Sequence, residues 1–227
     1  IERPDAGYPN SYRLEHERMA ALVDRGAVVP TPVAGSWEVE PDAALAYSLT
    51  TYLAGSPTSN EALAGLVEQV ASFLRTLHGV PATGDRRTAL IERFDAGIWP
   101  IGGRPLAAHP ALADRPALRT RVERHAAAVQ AAIARPPLVL VHSDLHEENM
   151  LFDGERLAFI DFGETFEGAA GWEFASMAYF TSWDLADAVL VRYLDDPAEA
   201  PAWRAEVALL ALSFGLCRWE QDIDMAL

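Results

Sequence analysis

Between residues 136 and 164 the chain reads PPLVLVHSDLHEENMLFDGERLAFIDFGE, an order of segments that few folds accommodate. Pro136 and Pro137 end any helix before them, and LVLVH is then a short apolar strand of buried type. NMLF and RLAFID form two further strands folded about Asp153-Gly154, a strong hairpin-turn dipeptide. The buried strand delivers His142 to a turn, Asp144 to Glu148 fill a loop, and Asn149 opens the hairpin. Pairing of its two strands returns Asp161 to lie beside Asp144 and Asn149.

Two carboxylates and an amide oxygen converging on one point suit a hard cation, and Mg²⁺ usually takes one or two carboxylates plus substrate phosphates. Asn149 and Asp161 fit as ligands. Asp144 is then left to accept the proton of an attacking hydroxyl while the metal neutralises charge on the phosphates. H-x-D-x-x-x-x-N followed by D-F-G is a pattern of phosphoryl-transfer enzymes. An alternative reading takes His142, Asp144 and His146, which alternate along the chain, as ligands of a metal-dependent hydrolase. It leaves Asn149 and the D-F-G unused, and His16, His78, His109 and His125 have no metal-type spacing.

The surroundings are mostly helical. A helix is expected over Tyr12–Arg25, with Leu14, Met19 and Leu22 inward and Gly26 past its end, followed by the extended VVPTPV. ALAYSLTTYLAG reads as a strand that ends at Gly55. Over residues 58–78 Leu63, Leu66, Val67, Val70, Phe73, Leu74 and Leu77 make one helical stripe, with Thr58 and Glu61 as a capping box and Gly79 as the stop. Residues 83–115 are expected as a long loop. Helices follow over Pro116–Ala134 and near 184–194 and 202–220.

At 227 residues, half of them apolar, the chain can bury a sizeable core. Its net charge is −15, and all 18 basic residues are Arg. That balance repels nucleic acid and anionic lipid and attracts a cationic small molecule. With one cysteine, Cys217, no internal disulfide can form. No apolar run reaches the roughly 20 residues of a membrane span and no signal peptide opens the chain, so a cytoplasmic location is expected.

HSDLHEENMLF followed by FIDFGE resembles the aminoglycoside phosphotransferase family of small-molecule kinases. The resemblance implies an α+β, protein-kinase-like fold. Residues 1–55 would be a partial N-terminal lobe with a helix like the kinase αC, strands and hinge, and residues 56–227 a mostly helical C-terminal lobe with the catalytic hairpin. It implies ATP and Mg²⁺ as cofactors, Asp144 as catalytic base, Asn149 and Asp161 as metal ligands, and His142 as support for the loop. Glu15 is similar to the helix acid that pairs with the phosphate-binding Lys, with Glu17 a competitor. TTYLAG looks like a hinge whose backbone at Thr51 and Leu53 meets adenine. Glu173, beside Trp172, stands where the family usually has an Asp that ties down the catalytic loop.

A protein kinase normally reads H-R-D here and carries A-P-E after D-F-G. Ser143 replaces that Arg and no A-P-E follows, so the acceptor is expected to be a hydroxyl of a small molecule. Glu147, Glu148 and Glu164, with Glu220, Asp222 and Asp224, are expected to wall its site, and Trp183, Trp203 and Trp219 are either stacking surfaces or core. Such a wall suits an amino alcohol such as an aminoglycoside, which would make the chain an antibiotic-resistance enzyme. The chain has no G-x-G-x-x-G and no Lys, with Arg3 the one substitute near the start. It is therefore expected to be N-terminally truncated. The remaining alternative is a catalytically incomplete kinase fold that binds a ligand without transferring phosphate.

Overall fold

The computed structural model describes residues 11–36, 47–82, 112–133 and 137–211. Its first helix, α1 (Ser11–Val23), buries Leu14, Met19 and Leu22, as the spacing requires, together with Arg18. It ends where Gly26 takes φ +81°. The Gly26 and Ala27 amides donate back to the carbonyls of Val23 and Leu22, a pairing that needs a residue free to turn left-handed. Strand β1 (Pro32–Ser36) then pairs antiparallel with β2 (Tyr47–Thr50). The expected strand over 44–55 ends at Thr50 rather than Gly55, because the Thr31 amide turns to the Thr51 hydroxyl instead of a backbone carbonyl, and its residues 44–46 lie outside the described residues.

The helix expected over 58–78 divides into α2 (Asn60–Leu63) and α3 (Val67–His78). Gly65, a poor helix former, sits in the turn between them. The break costs little, since Leu63 and Leu66 stay buried on either side of it. Ser59 rather than Thr58 caps α2, its hydroxyl accepting the Ala62 amide at 3.2 Å. Thr58 has been drawn into a tertiary contact described below. Gly79 ends α3 as expected.

After α4 (Pro116–Ile133) comes β4 (Val139–Val141), which pairs antiparallel with β7 (Phe166–Gly168), a strand that the sequence pattern did not reveal. The hairpin forms as expected from β5 (Met150–Phe152) and β6 (Leu157–Phe159). Asp153 closes its four-residue loop by accepting the Glu155 and Arg156 amides, and Gly154 adopts φ +100°. Strand β3 (Ser56–Pro57) adds to the β5 edge. Helices α5 (Gly171–Phe180) and α6 (Trp183–Tyr193) follow, and residues 200–211 are helical. Helix α5 was not expected: it is buried on nearly every face, so it carries no amphipathic period.

The core that positions the site is aromatic. Phe73 of α3 stacks on Phe159 of β6 at 3.6 Å and meets Phe162, of the D-F-G, edge-on at 6.4 Å. Phe162 in turn lies 4.8 Å from the His142 ring. The long helix is therefore coupled through aromatic rings to both ends of the segment 142–162. Trp172 is core, and Trp203 packs on Phe174 and Tyr193. Trp183 is exposed. No helix among the described residues is long and apolar enough to cross a membrane. Arg3, residues 83–111, Cys217, Trp219, Glu220, Asp222 and Asp224 lie outside the described residues.

Candidate active site

Strand β4 ends in His142, which is completely buried. Its Nε2 donates to the Ile160 carbonyl at 2.9 Å, and its Nδ1 accepts the Asp144 amide at 3.3 Å. Both ring nitrogens are thus used within the chain, and only the neutral Nε2–H tautomer satisfies both. Burial pushes the His142 pKa down to about 4, against the pull of the Ile160 carbonyl and of the Asp144 and Asp161 carboxylates. A neutral, doubly bonded imidazole stitches the loop to the strand that ends at Asp161.

Ser143, with φ +77°, makes the turn out of the core. A non-glycine residue holds that conformation only where its surroundings fix it, and here Glu173 of α5 does so. The Glu173 carboxyl accepts the His142 amide and, at 3.3 Å, the Ser143 amide. Ser176, one turn on, donates to the Ser143 carbonyl at 3.0 Å. Glu173 is fully buried, and burial pushes its pKa up to about 8 although both amide bonds favour the charged form. Glu therefore reaches the loop from the position where the family's Asp is expected.

Beyond Leu145, whose side chain is buried, His146 caps the 3₁₀ turn Glu147–Asn149. The Asn149 side-chain Nδ2 donates to the Asp144 carbonyl at 2.9 Å and to Asp144 Oδ2 at 3.0 Å. Asp144 keeps 32 % of its side chain exposed. The Ile160 amide donates to the Asn149 carbonyl at 3.1 Å, extending the β5–β6 ladder by one step so that Asp161 emerges beside Asn149. Asp161, exposed and at φ +65°, turns the chain away from the hairpin there. Asp144, His146 and Asn149 thus lie within reach of one another, with His142 joined to them through the Asp144 amide and Asp161 following the Ile160–Asn149 backbone bond.

Glu147 is half-buried, and Glu148 and Glu164 are exposed. Glu15 lies on α1, and Thr51 and Leu53, the residues expected as a hinge, follow β2. Glu15 is half-buried, and its competitor Glu17 pairs with Arg13 at 3.3 Å. Thr51 donates its amide to the Thr31 carbonyl and accepts the Thr31 amide on its hydroxyl, both at 2.9 Å. Two residues beyond Leu53, Gly55 leads into β3 and so into the catalytic hairpin.

Sequence reasoning missed Thr58. Its amide donates to the carbonyls of Glu147 and Met150 at 3.1 and 2.9 Å, and its hydroxyl to Glu147 at 3.1 Å. The residue thereby fastens the chain before α2 to the loop at Glu147 and to the start of β5. The only hint was a hydroxyl residue one place too early to cap that helix. The hydrolase alternative fails on geometry. Both nitrogens of His142 are committed, and among the described residues no three His, Cys, Asp or Glu side chains converge as a metal site.

No curated protein matches the sequence, whereas solved structures share the fold. A choline/ethanolamine kinase family protein from Mesorhizobium loti superposes with TM-score 0.60 at 23 % identity, over 95 % of this chain and 73 % of that one. The ADP-bound aminoglycoside phosphotransferase APH(2'')-Ib gives 0.61 at 17 %, over 93 % and 76 %. The GDP complex of aminoglycoside 2'-phosphotransferase-IIIa gives 0.65 at 15 %, over 95 % and 77 %. These similarities make the architecture an α+β, protein-kinase-like one. The model of the APH phosphotransferase enzyme family matches residues 1–207, and the chain belongs to that family.

Proposed function

We propose that this family member transfers the γ-phosphoryl group of ATP to a hydroxyl of a small molecule, with Asp144 as the base. The observation that carries the proposal is the double hold of Asn149 Nδ2 on Asp144. It fixes the carboxylate at a partly open position and spends the amide nitrogen, so that Asn149 Oδ1 is the group left for a cation. Asn149 Oδ1 and the exposed Asp161 carboxylate form an all-oxygen donor set, which fits Mg²⁺ better than a soft metal. When bound there, Mg²⁺ would offset the negative charge of the phosphates.

Asp144 accepts the proton of the acceptor hydroxyl as its oxygen bonds to the γ-phosphorus. The bond from that phosphorus to the β–γ bridging oxygen breaks, and ADP leaves. His142 and Glu173 hold the loop, and neither exchanges a proton with substrate. At the hinge, the Thr51 amide is taken by Thr31, leaving the Thr51 carbonyl and the Leu53 amide to meet an adenine edge. The two lobes meet at Gly55, and Glu15 belongs to the N-terminal one. Exposed Glu148 and Glu164, with Glu147, give the acceptor side a negative character suited to a cationic alcohol. APH(2")-IIa has been solved with gentamicin, a polyamine of that kind. The second reading is a kinase fold that binds its ligand without transfer.

ADP release from ATP and Mg²⁺, measured across a panel of amino alcohols and aminoglycosides, separates the two. Transfer predicts acceptor-dependent ADP release that chelation of Mg²⁺ abolishes. It also predicts that Asp144→Ala lowers kcat by at least about 100-fold with an unchanged melting temperature. Undiminished turnover in that variant would overturn the assignment.

A further inference from the structure

His146 has one ring nitrogen committed to the loop backbone and the other turned toward the proposed base. Its Nδ1 accepts the Glu148 amide at 3.3 Å, as the cap of the 3₁₀ turn. A ring nitrogen that accepts carries no proton, so in the neutral imidazole the proton sits on Nε2. Nε2 lies 3.5 Å from Asp144 Oδ2 and 3.1 Å from Asn149 Nδ2. The Asn149 nitrogen has only two hydrogens, and Asp144 O and Oδ2 accept both at 2.9 and 3.0 Å. Asn149 Nδ2 cannot accept the Nε2–H, so of these two neighbours only the Asp144 carboxylate can, as an electrostatic restraint rather than a short hydrogen bond. Phe180 lies against the imidazole, centroid to centroid 5.9 Å, and limits the ring's freedom to swing away.

We propose that His146 is a positioning residue for Asp144: its Nε2–H and the Asn149 amide together engage Oδ2, leaving Oδ1 to receive the proton of the acceptor hydroxyl. This assignment rests on Asp144 being the base. It differs from a purely architectural role because capping uses Nδ1 and positioning uses Nε2, which two substitutions separate. In His146→Asn the side-chain oxygen takes the place of Nδ1 and keeps the cap, but nothing reaches Asp144. In His146→Gln the amide nitrogen reaches the place of Nε2 and the cap is lost.

The expected result for purified protein with ATP, Mg²⁺ and the best acceptor of the panel is an Asn variant that melts like the native chain. Its kcat falls on the order of 10- to 100-fold, as for a misplaced reacting group, with KM for ATP within about twofold. The Gln variant melts a few degrees lower yet recovers most of kcat. An Asn variant with native kcat, or a Gln variant as slow as the Asn one, overturns the proposal. The ¹⁵N shifts of the His146 ring test it without turnover: the Nε2–H tautomer supports it and the Nδ1–H tautomer overturns it. Asp144→Ala run in parallel separates the two assignments. An active Asp144→Ala defeats the assignment of the base, whereas an inactive one beside a fully active His146→Asn defeats only the positioning role.

Discussion

Replacing Glu173 with Gln tests the buried carboxyl that holds the catalytic loop. The native side chain accepts two backbone amides, those of His142 and Ser143, whereas a Gln amide can accept through its oxygen only. One buried N–H then loses its partner, at a cost of about 1–3 kcal/mol. The pH dependence gives an independent signature. Burial raises Glu173 from 4.5 in the unfolded chain to about 8 in the folded one, so between these values the folded state holds the proton more tightly. That contribution to stability is complete below pH 4.5 and disappears as the pH rises to about 8.

His142 and His78 act in the opposite sense, since burial lowers them from 6.5 to about 4 and about 3. Their contributions are complete above pH 6.5 and are lost as the pH falls. Stability is therefore expected to peak near pH 6.5 and to fall by about 2 kcal/mol by pH 8, a drop in melting temperature of roughly 4–8 °C for a domain of this size. Urea unfolding followed by tryptophan fluorescence from pH 5.5 to 8.5 measures both effects. In Glu173→Gln the curve should start lower at pH 6 and lose its decline above 6.5. A variant with native stability at pH 6, or with the alkaline decline intact, would refute this account of the loop anchor.

Two other substitutions probe how the hairpin is held. Phe159, nearly fully buried and stacked on Phe73, should cost about 3–5 kcal/mol when cut to Ala. Calorimetry reads that cost directly, and a loss below about 1 kcal/mol would mean that the ring stack does not anchor the site. At Gly55, φ is +128° and an added Cβ would lie 3.0 Å from the Phe152 carbonyl carbon and oxygen. Gly55→Val should therefore destabilise by about 1–3 kcal/mol and speed hydrogen exchange at the β3–β5 pairing. Native exchange rates in this variant would show that the β3–β5 pairing does not depend on that close approach.

The candidate site segment was legible because its residue types and its geometry are both local. Asp144, Asn149 and Asp161 fall within 18 residues, and the Asp153-Gly154 turn brings the last to the other two. Helices α1 and α3 were legible from apolar residues three or four apart, and α4 from Pro116 at its first position and the prolines that follow it. Helix α5 was not, because a helix buried on all sides has no polar face to mark its period. The split of α2 from α3 was also hidden, as a turn at Gly65 leaves the apolar stripe intact.

The sequence by itself determined the order of strand, polar loop and hairpin, which residues are candidates for a base and for cation ligands, and the resemblance to small-molecule kinases. Only the tertiary structure decided how the loop is held. The amides of His142 and Ser143 meet the Glu173 carboxyl 31 and 30 residues away, and Thr58 reaches across 89 residues to the Glu147 carbonyl. Nor could spacing tell that both nitrogens of His142 are occupied while one nitrogen of His146 is turned to Asp144. Such bonds depend on where the backbone donors of one segment fall against the side chains of another. That placement is set by packing of the whole core and leaves no periodic trace along the chain.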